Sequence, residues 1–147
     1  MQKTRRYRMS NSAAIEFANS LFYDAFSTAN LDQMSELWAD SDTVFCCHPG
    51  WQPIRGRAAV LRSWAEIFAN AGPMPISHRV LERDLIGDMG IVCCLESVSG
   101  HGFIATNLFV RDGKRNGKLW RMVHHHAGPI AGRVPVIAGS PGPTPPN

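Results

Sequence analysis

The second half of the chain consists of four strand-length runs that are separated by short, mostly glycine-containing turns. The runs are "ISHRVLERDLIGD", "GIVCCLESVS", "GFIATNLFVRD" and "KLWRMVHHHA", and the turns lie at 87–90, 100–102 and 112–118. Runs rich in β-branched and aromatic residues between such turns are typical of β-strands. Strands joined by connections this short must be antiparallel. The sequence therefore predicts an antiparallel sheet, which needs a partner layer to cover one of its faces.

The first half of the chain supplies that layer. Apolar residues recur at helical spacing in Ser12–Ala29, where Ser12 is the expected N-cap, and again in Leu31–Asp40 and Arg57–Gly72. The intervening "TVFCCH", Thr43–His48, has the composition of a short strand. The predicted fold class is α+β, a curved antiparallel sheet packed on three helices of the N-terminal half. A pocket is expected in the mouth between them.

Composition indicates a single globular domain with two flanking segments. The 147 residues are 44% hydrophobic and 18% charged, which suits one soluble domain. We expect a basic flexible leader at 1–11, the domain at 12–130 and a Pro/Gly-rich tail at 131–147. The Arg-rich leader is compatible with a transit peptide, but a solvated leader is the simpler interpretation.

Charge and hydropathy argue against nucleic-acid and membrane partners. The net charge of +3 is concentrated in "KTRRYR" at the start, whereas a nucleic-acid-binding domain more often carries a basic face through its fold. No run approaches the length of a membrane span, and no apolar core of a secretory signal is present. A cytoplasmic location is the resulting expectation.

Cysteine spacing favours reduced thiols over a cofactor site. The pairs Cys46-Cys47 and Cys93-Cys94 contain no C-x-x-C, and neighbours on a strand point to opposite faces. We expect neither a structural metal nor any other cofactor. His48, His124 and His126 leave one alternative open, because three imidazoles and a water form a common catalytic zinc site.

Four segments in the same order resemble the SnoaL-like branch of the NTF2-like superfamily. They are "LDQMSELWADSDTVFCCHPGW", "IRGRAAVLRSWAEIF", "ATNLFVRDG" and "LWRMVHHHAGP", and the similarity covers roughly residues 12–129. The resemblance implies a cone-shaped α+β fold. The superfamily includes ketosteroid isomerase, scytalone dehydratase, limonene epoxide hydrolase and polyketide cyclases. It also includes non-catalytic association domains, so the fold alone does not settle the function.

Comparison with ketosteroid isomerase gives a phase for the strands. Alternation along the last strand then places Trp120, Met122, His124 and His126 inside the cone and His125 outside. The positions of the isomerase's base, tyrosine and acid correspond here to Cys46, Phe22 and Asn107. Steroid isomerisation of that type is therefore not expected, and no inward acid with a matching arginine supports epoxide hydrolysis.

The resulting hypothesis is a small-molecule site of apolar walls with a few polar groups. The candidate proton-transfer residues are His124, His126 and His48, with Asn107 orienting a substrate oxygen. The candidate ligand-binding residues are Cys46, Trp51, Phe22, Phe103, Phe109, Met122 and Trp120. The reaction would be that of a lyase, cyclase or isomerase. The alternative is a non-catalytic ligand-binding or association domain in which buried histidines only satisfy hydrogen bonds.

The face of the sheet opposite the helices predicts self-association. Val123, Leu108 and one cysteine of the Cys93-Cys94 pair would point outward and form an apolar patch too large for a monomer. In the superfamily that this chain resembles, the convex sheet face usually packs on another subunit. We expect a homodimer formed through that face and an apolar small molecule as the ligand.

Overall fold

A computed structural model describes residues 10–111 and 119–133. The helices and strands of this part of the chain are, in order, α1 (Asn11–Thr28), α2 (Leu31–Leu37), β1 (Phe45–Cys47), β2 (Ile54–Arg55), α3 (Arg57–Ala71), β3 (Ile76–Ile86), β4 (Met89–Val98), β5 (His101–Arg111) and β6 (Trp120–Arg133).

All six strands form one curved sheet in the order β2-β1-β6-β5-β4-β3. The strands from β3 to β6 pair antiparallel with their sequence neighbours, as the short turns predicted. β1 instead pairs parallel with β6, so the short strand between the helices lies beside the last strand. One face of the sheet, here called the inner face, packs against α1 and α3. The predicted α+β cone is confirmed.

The helices begin and end at recognisable caps, although the first cap was predicted two residues late. α1 starts at Asn11, and its N-cap is Ser10, whose side chain accepts a hydrogen bond from the backbone N–H of Ala13. Ala29 ends this helix in the left-handed region, and Asn30 caps α2 through Gln33 N–H. The short α2 is fixed by Arg57, whose guanidinium donates to the carbonyls of Ser35 and Trp38.

The expected segment boundaries stay a prediction. The leader 1–11 and the tail 131–147 lie mostly outside the described residues. Within them, helix α1 already includes Asn11, and β6 continues to Arg133, beyond the expected end of the domain at 130. None of the helices described here combines the length and hydropathy needed to cross a bilayer.

The phase of β6 differs from the prediction because the strand contains a bulge. Leu108 of β5 pairs with His124, but the next residue, Phe109, pairs with Met122, so Val123 is an extra residue in β6. An extra residue reverses which side chains face inward beyond it. Met122 still points to the inner face. Beyond the bulge His125 points to that face, and His124 and His126 do not.

We predict that Gly90 cannot carry a side chain without loss of stability. A Cβ at this position in β4 would lie 2.6 Å from Cδ1 and 2.9 Å from Cγ1 of the buried Ile15. Gly90→Ala should therefore lower the free energy of unfolding by roughly 1–3 kcal/mol, measured by denaturant titration. Gly128→Ala is the control, because a Cβ there meets nothing within 4 Å.

Adding Ile15→Val removes the closer clashing carbon and should recover part of the loss in a double-mutant cycle. Equal stability of Gly90→Ala and Gly128→Ala would contradict this account of the α1–β4 contact.

Candidate functional site

Most of the residues predicted to line the site lie on the inner side of the sheet. They are spread along its full length. Cys46, His48, Asn107, Phe22 and Met122 are all buried, as are Phe109 and Trp120. Phe109 and Phe103 are six residues apart on β5, which is about 20 Å along a strand. Phe109, Met122 and Trp120 therefore lie near one end of the sheet and Phe103 near the other, so the predicted ligand-binding set does not form one compact site.

His124 and His126 lie on the opposite, outer face of the sheet, and their predicted inward orientation is wrong. His124 packs its ring 3.9 Å from that of Phe45, and its Nδ1 lies 3.1 Å from the Phe45 carbonyl oxygen, to which it donates. His126 is exposed. The cause is the bulge at Val123, which shifts the alternation of β6 by one position. His125 is the histidine of this strand that enters the interior.

His125 starts a line of hydrogen bonds across the interior. Its Nδ1 lies 2.6 Å from Oδ1 of Asn107, and because an amide oxygen can only accept, Nδ1 carries the proton. The Asn107 amide nitrogen donates to Asn19 Oδ1 at 2.9 Å and to the Tyr23 hydroxyl oxygen at 3.2 Å. Asn19 in turn donates to Sγ of Cys94 at 3.3 Å. Both hydrogens of the Asn107 amide are thus engaged within the protein.

Glu96 is the terminal acceptor of that line. Its carboxyl group is hydrogen-bonded to Tyr23, whose hydroxyl oxygen already accepts from Asn107 and whose hydrogen is free to be donated. The residue is 2% exposed, and its Oε2 has no hydrogen-bond partner among the described residues. His125, Asn107, Tyr23 and Glu96 are called the polar chain below. Each member of the polar chain donates a hydrogen bond to the next, and Glu96 is the last. Its Oε2 is an unused acceptor.

Burial determines the protonation states in this interior. It raises the pKa of Glu96 to about 7, although the Tyr23 hydrogen bond opposes the change. It also raises the pKa of Tyr23 well above its usual value. Burial lowers the pKa of His125 to about 3, with further lowering by the neighbouring histidines. Near neutral pH Tyr23 and His125 are therefore uncharged, and Glu96 is the member of the polar chain that can gain or lose a proton.

A second polar group lies between β1 and α3. His48 Nε2 and Ser63 Oγ are 2.9 Å apart, and Ser63 also donates to the Val60 carbonyl at 2.6 Å. With its hydrogen used there, Ser63 accepts from His48, so His48 does not activate this hydroxyl as a nucleophile. Burial lowers the pKa of His48 to about 4 and raises that of Cys46 beyond the physiological range. Trp51, 41% exposed, covers His48 edge-on.

Sequence reasoning missed five members of the interior: Asn19, Tyr23, His78, Glu96 and His125. Tyr23 directly follows Phe22 on α1, and both are buried because a wide face of this helix is covered. Glu96 did carry an indication in the sequence. It is a single acid within the apolar run "GIVCCLESVS", on the same phase as Val92 and Cys94.

Among the described residues, no three His, Cys, Asp or Glu side chains are grouped closely enough to hold a metal ion.

The fold and its inner polar face define a protein of the NTF2-like class. The family model of the SnoaL-like domain matches residues 15–131. The chain therefore belongs to the SnoaL-like domain family, as the resemblance implied.

The relatives of this chain have different assigned functions. A structure from Thiobacillus denitrificans, assigned as a calcium/calmodulin-dependent protein kinase type II association domain, is 33% identical with a TM-score of 0.71, covering 77% of this chain and 92% of that one. A Streptomyces avermitilis structure, assigned as a dehydratase of the NTF2-like family, is 29% identical with a TM-score of 0.71. The match covers 81% of this chain and 95% of that one.

F-box protein SKIP8 of Arabidopsis thaliana is 30% identical over 116 residues, which are 78% of this chain. The matched region is 48% of that protein, so the chain spans about half the length of this relative.

We predict that Glu96 makes folding less favourable as the pH rises. Its pKa is raised from 4.5 to about 7 in the folded protein, so its contribution to stability is fully present below pH 4.5 and is lost as the pH passes through about 7. Glu96→Gln keeps the shape and removes the titration. The free energy of unfolding of the wild type minus that of the variant should fall by on the order of 3 kcal/mol between about pH 4 and pH 8.

The buried histidines titrate in both proteins and cancel in this difference. Glu82→Gln, on the exposed part of β3, is the matched control for the loss of one carboxyl group. A flat difference curve for Glu96→Gln would contradict the buried, unpaired state of this carboxyl.

Proposed function

We propose that this chain binds a small, mainly apolar molecule between α1 and the inner face of the sheet. In this proposal Glu96 exchanges a proton with the ligand, as in an isomerase, dehydratase or cyclase that needs no cofactor. The observation that carries the proposal is the unpartnered Oε2 of Glu96 at the end of the polar chain.

Unused polar atoms in an aromatic surrounding support a binding role. Besides Oε2 of Glu96, the buried indole nitrogens of Trp64 on α3 and of Trp38 have no hydrogen-bond partner among the described residues. Trp64 packs on Phe22, Phe26 and His125. A buried donor or acceptor without a partner costs roughly 1–3 kcal/mol, which a ligand with complementary polar atoms would offset. Apolar walls with a few convergent polar groups are typical of ligand sites.

The protonation states assign the roles. A pKa of about 7 lets Glu96 act as a base in its ionised form and as an acid after taking the proton, so one carboxyl can remove a ligand hydrogen and return it at another atom. Tyr23 stabilises the ionised form by its hydrogen bond. Asn107 and His125 act as positioning residues, because their hydrogen bonds fix the donor direction of Tyr23. The likeness to the Streptomyces avermitilis structure assigned as a dehydratase is consistent with such chemistry.

The test uses benzyl alcohol and cyclohexanone as neutral probes. Both should receive saturation transfer from the wild-type protein in NMR, and the signal should weaken in Glu96→Gln. Exchange of the α-hydrogens of cyclohexanone in deuterated water should be faster with the wild type than with Glu96→Gln by on the order of 100-fold. Leu31→Lys, on the exposed start of α2, is the control and should behave as wild type.

Absence of binding by both probes would end the proposal. Binding with equal exchange rates for wild type and Glu96→Gln would end the proton-transfer part and leave a binding domain.

The outer face of the sheet supports a second function, homodimeric association. On β4 and β5, the residues that alternate with the buried ones point to the outer face. Ile91, Cys93 and Leu95 of β4 therefore lie there beside Ile104 and Leu108 of β5. Ile104 and Phe45 are 37% and 40% exposed there. Such a patch fits a second copy of the same chain through a two-fold, self-complementary contact. The Thiobacillus denitrificans relative, assigned as an association domain, agrees with this role.

We predict a wild-type sedimentation mass of twice the 16.2 kDa chain at micromolar concentration. Ile104→Lys places a positive charge on this patch in both copies and should shift the mass to that of a single chain. Leu31→Lys, on the helical side, should leave the dimer intact. A single-chain mass for the wild type would remove the association proposal.

A further inference from the structure

Glu96 has no positively charged partner among the described side chains. The buried polar residues of this part of the chain include no lysine and no arginine. The groups that face Glu96 are Tyr23 from α1, His78 as its strand partner on β3, and Cys94 on its own strand, while its partner on β5 is Phe103. An ionised carboxyl in such a place lacks the counter-charge that buried charges normally have.

The titratable neighbours do not supply that counter-charge at neutral pH. Burial lowers the pKa of His78 to about 4, so its imidazole is uncharged. Burial raises the pKa of Cys94 to about 11 and the pKa of Tyr23 well above its usual value, so both are neutral hydrogen-bonding groups. Glu96 is thus the single group of this cluster that carries a charge near pH 7, and that charge is negative.

Aromatic rings lie next to the carboxyl. The rings of Tyr23 and His78 are stacked at a centroid distance of 4.2 Å and an angle of 13°, and Phe22 meets Tyr23 edge-on at 5.0 Å. Aromatic groups attract cations through the negative potential of their faces. A carboxylate with a free oxygen beside aromatic rings is chemically suited to an organic ammonium group.

We infer that the ligand of this site carries a protonated amine, which donates a hydrogen bond to Oε2 of Glu96 and lies beside the Tyr23 and His78 rings. The inference rests on the proposed binding function and names the chemical class of its ligand. A neutral hydroxyl would satisfy the hydrogen bond but leave the buried charge unpaired. A carboxylate ligand would be repelled by Glu96. An ammonium group provides both the donor and the missing charge.

The test compares benzylamine, benzyl alcohol and benzoate, which share one ring and carry a positive, zero and negative charge. By calorimetry at roughly pH 8, where Glu96 is ionised, the wild type should bind benzylamine roughly tenfold or more tightly than benzyl alcohol, and benzoate least. In Glu96→Gln the preference for benzylamine should disappear, while benzyl alcohol should still bind. Leu31→Lys serves as the control with unchanged affinities.

Proton linkage in the wild type gives a second, variant-independent measurement. At about pH 6 Glu96 is mostly protonated, so binding of benzylamine should release a proton and be roughly tenfold weaker than at about pH 8. The proton release appears as a binding heat that depends on the ionisation enthalpy of the buffer. Benzyl alcohol should show no such dependence.

The outcomes separate the two proposals. Equal affinity for benzyl alcohol and benzylamine, an unchanged amine preference in Glu96→Gln, or no proton release at about pH 6 would each overturn the amine inference. In those cases the binding proposal stands, because a probe still binds. Failure of all three probes to bind the wild type would overturn both.

Discussion

An extra residue in β6 determines the chemistry of the interior. Val123 has no partner of its own on β5, so the strand changes phase between Met122 and His124. Two of the three consecutive histidines then lie on the outer face, and the middle one enters the interior at the level of Asn107. Bulges often redirect side chains next to functional sites. Without this one, His125 would point away from Asn107, and the polar chain would lose its first member.

The direction of the polar chain follows from the donors and acceptors of one amide. Asn107 accepts from His125 through its oxygen and gives its two hydrogens to Asn19 and Tyr23. The Tyr23 hydroxyl is left with its own hydrogen to donate, and Glu96 receives it. Four elements, α1, β4, β5 and β6, are tied together by these bonds. Hydrogen bonds are stronger in a low-dielectric interior, so the one unsatisfied atom of this network, Oε2 of Glu96, is the place where a ligand gains most.

The two faces of the sheet differ in their chemistry. The inner face offers a carboxyl group that titrates near neutral pH among aromatic rings. The outer face offers apolar side chains and the Phe45–His124 ring pair. Relatives assigned as a dehydratase and as an association domain share the fold of this SnoaL-like chain.

Local patterns in the sequence determined the α+β class and the antiparallel order of the last four strands, because helical spacing, alternation and tight turns act over a few residues. The inward phase of Cys46, His48 and Asn107 was inferred from the resemblance to ketosteroid isomerase, and all three residues are buried. Which histidine enters the interior was decided only by pairing between β5 and β6, whose register includes a bulge that no local pattern encodes. The same holds for Tyr23 and Glu96, which are 73 positions apart in the sequence and meet because α1 packs across the sheet. Burial then sets the protonation of Glu96, and burial is a property of the tertiary structure.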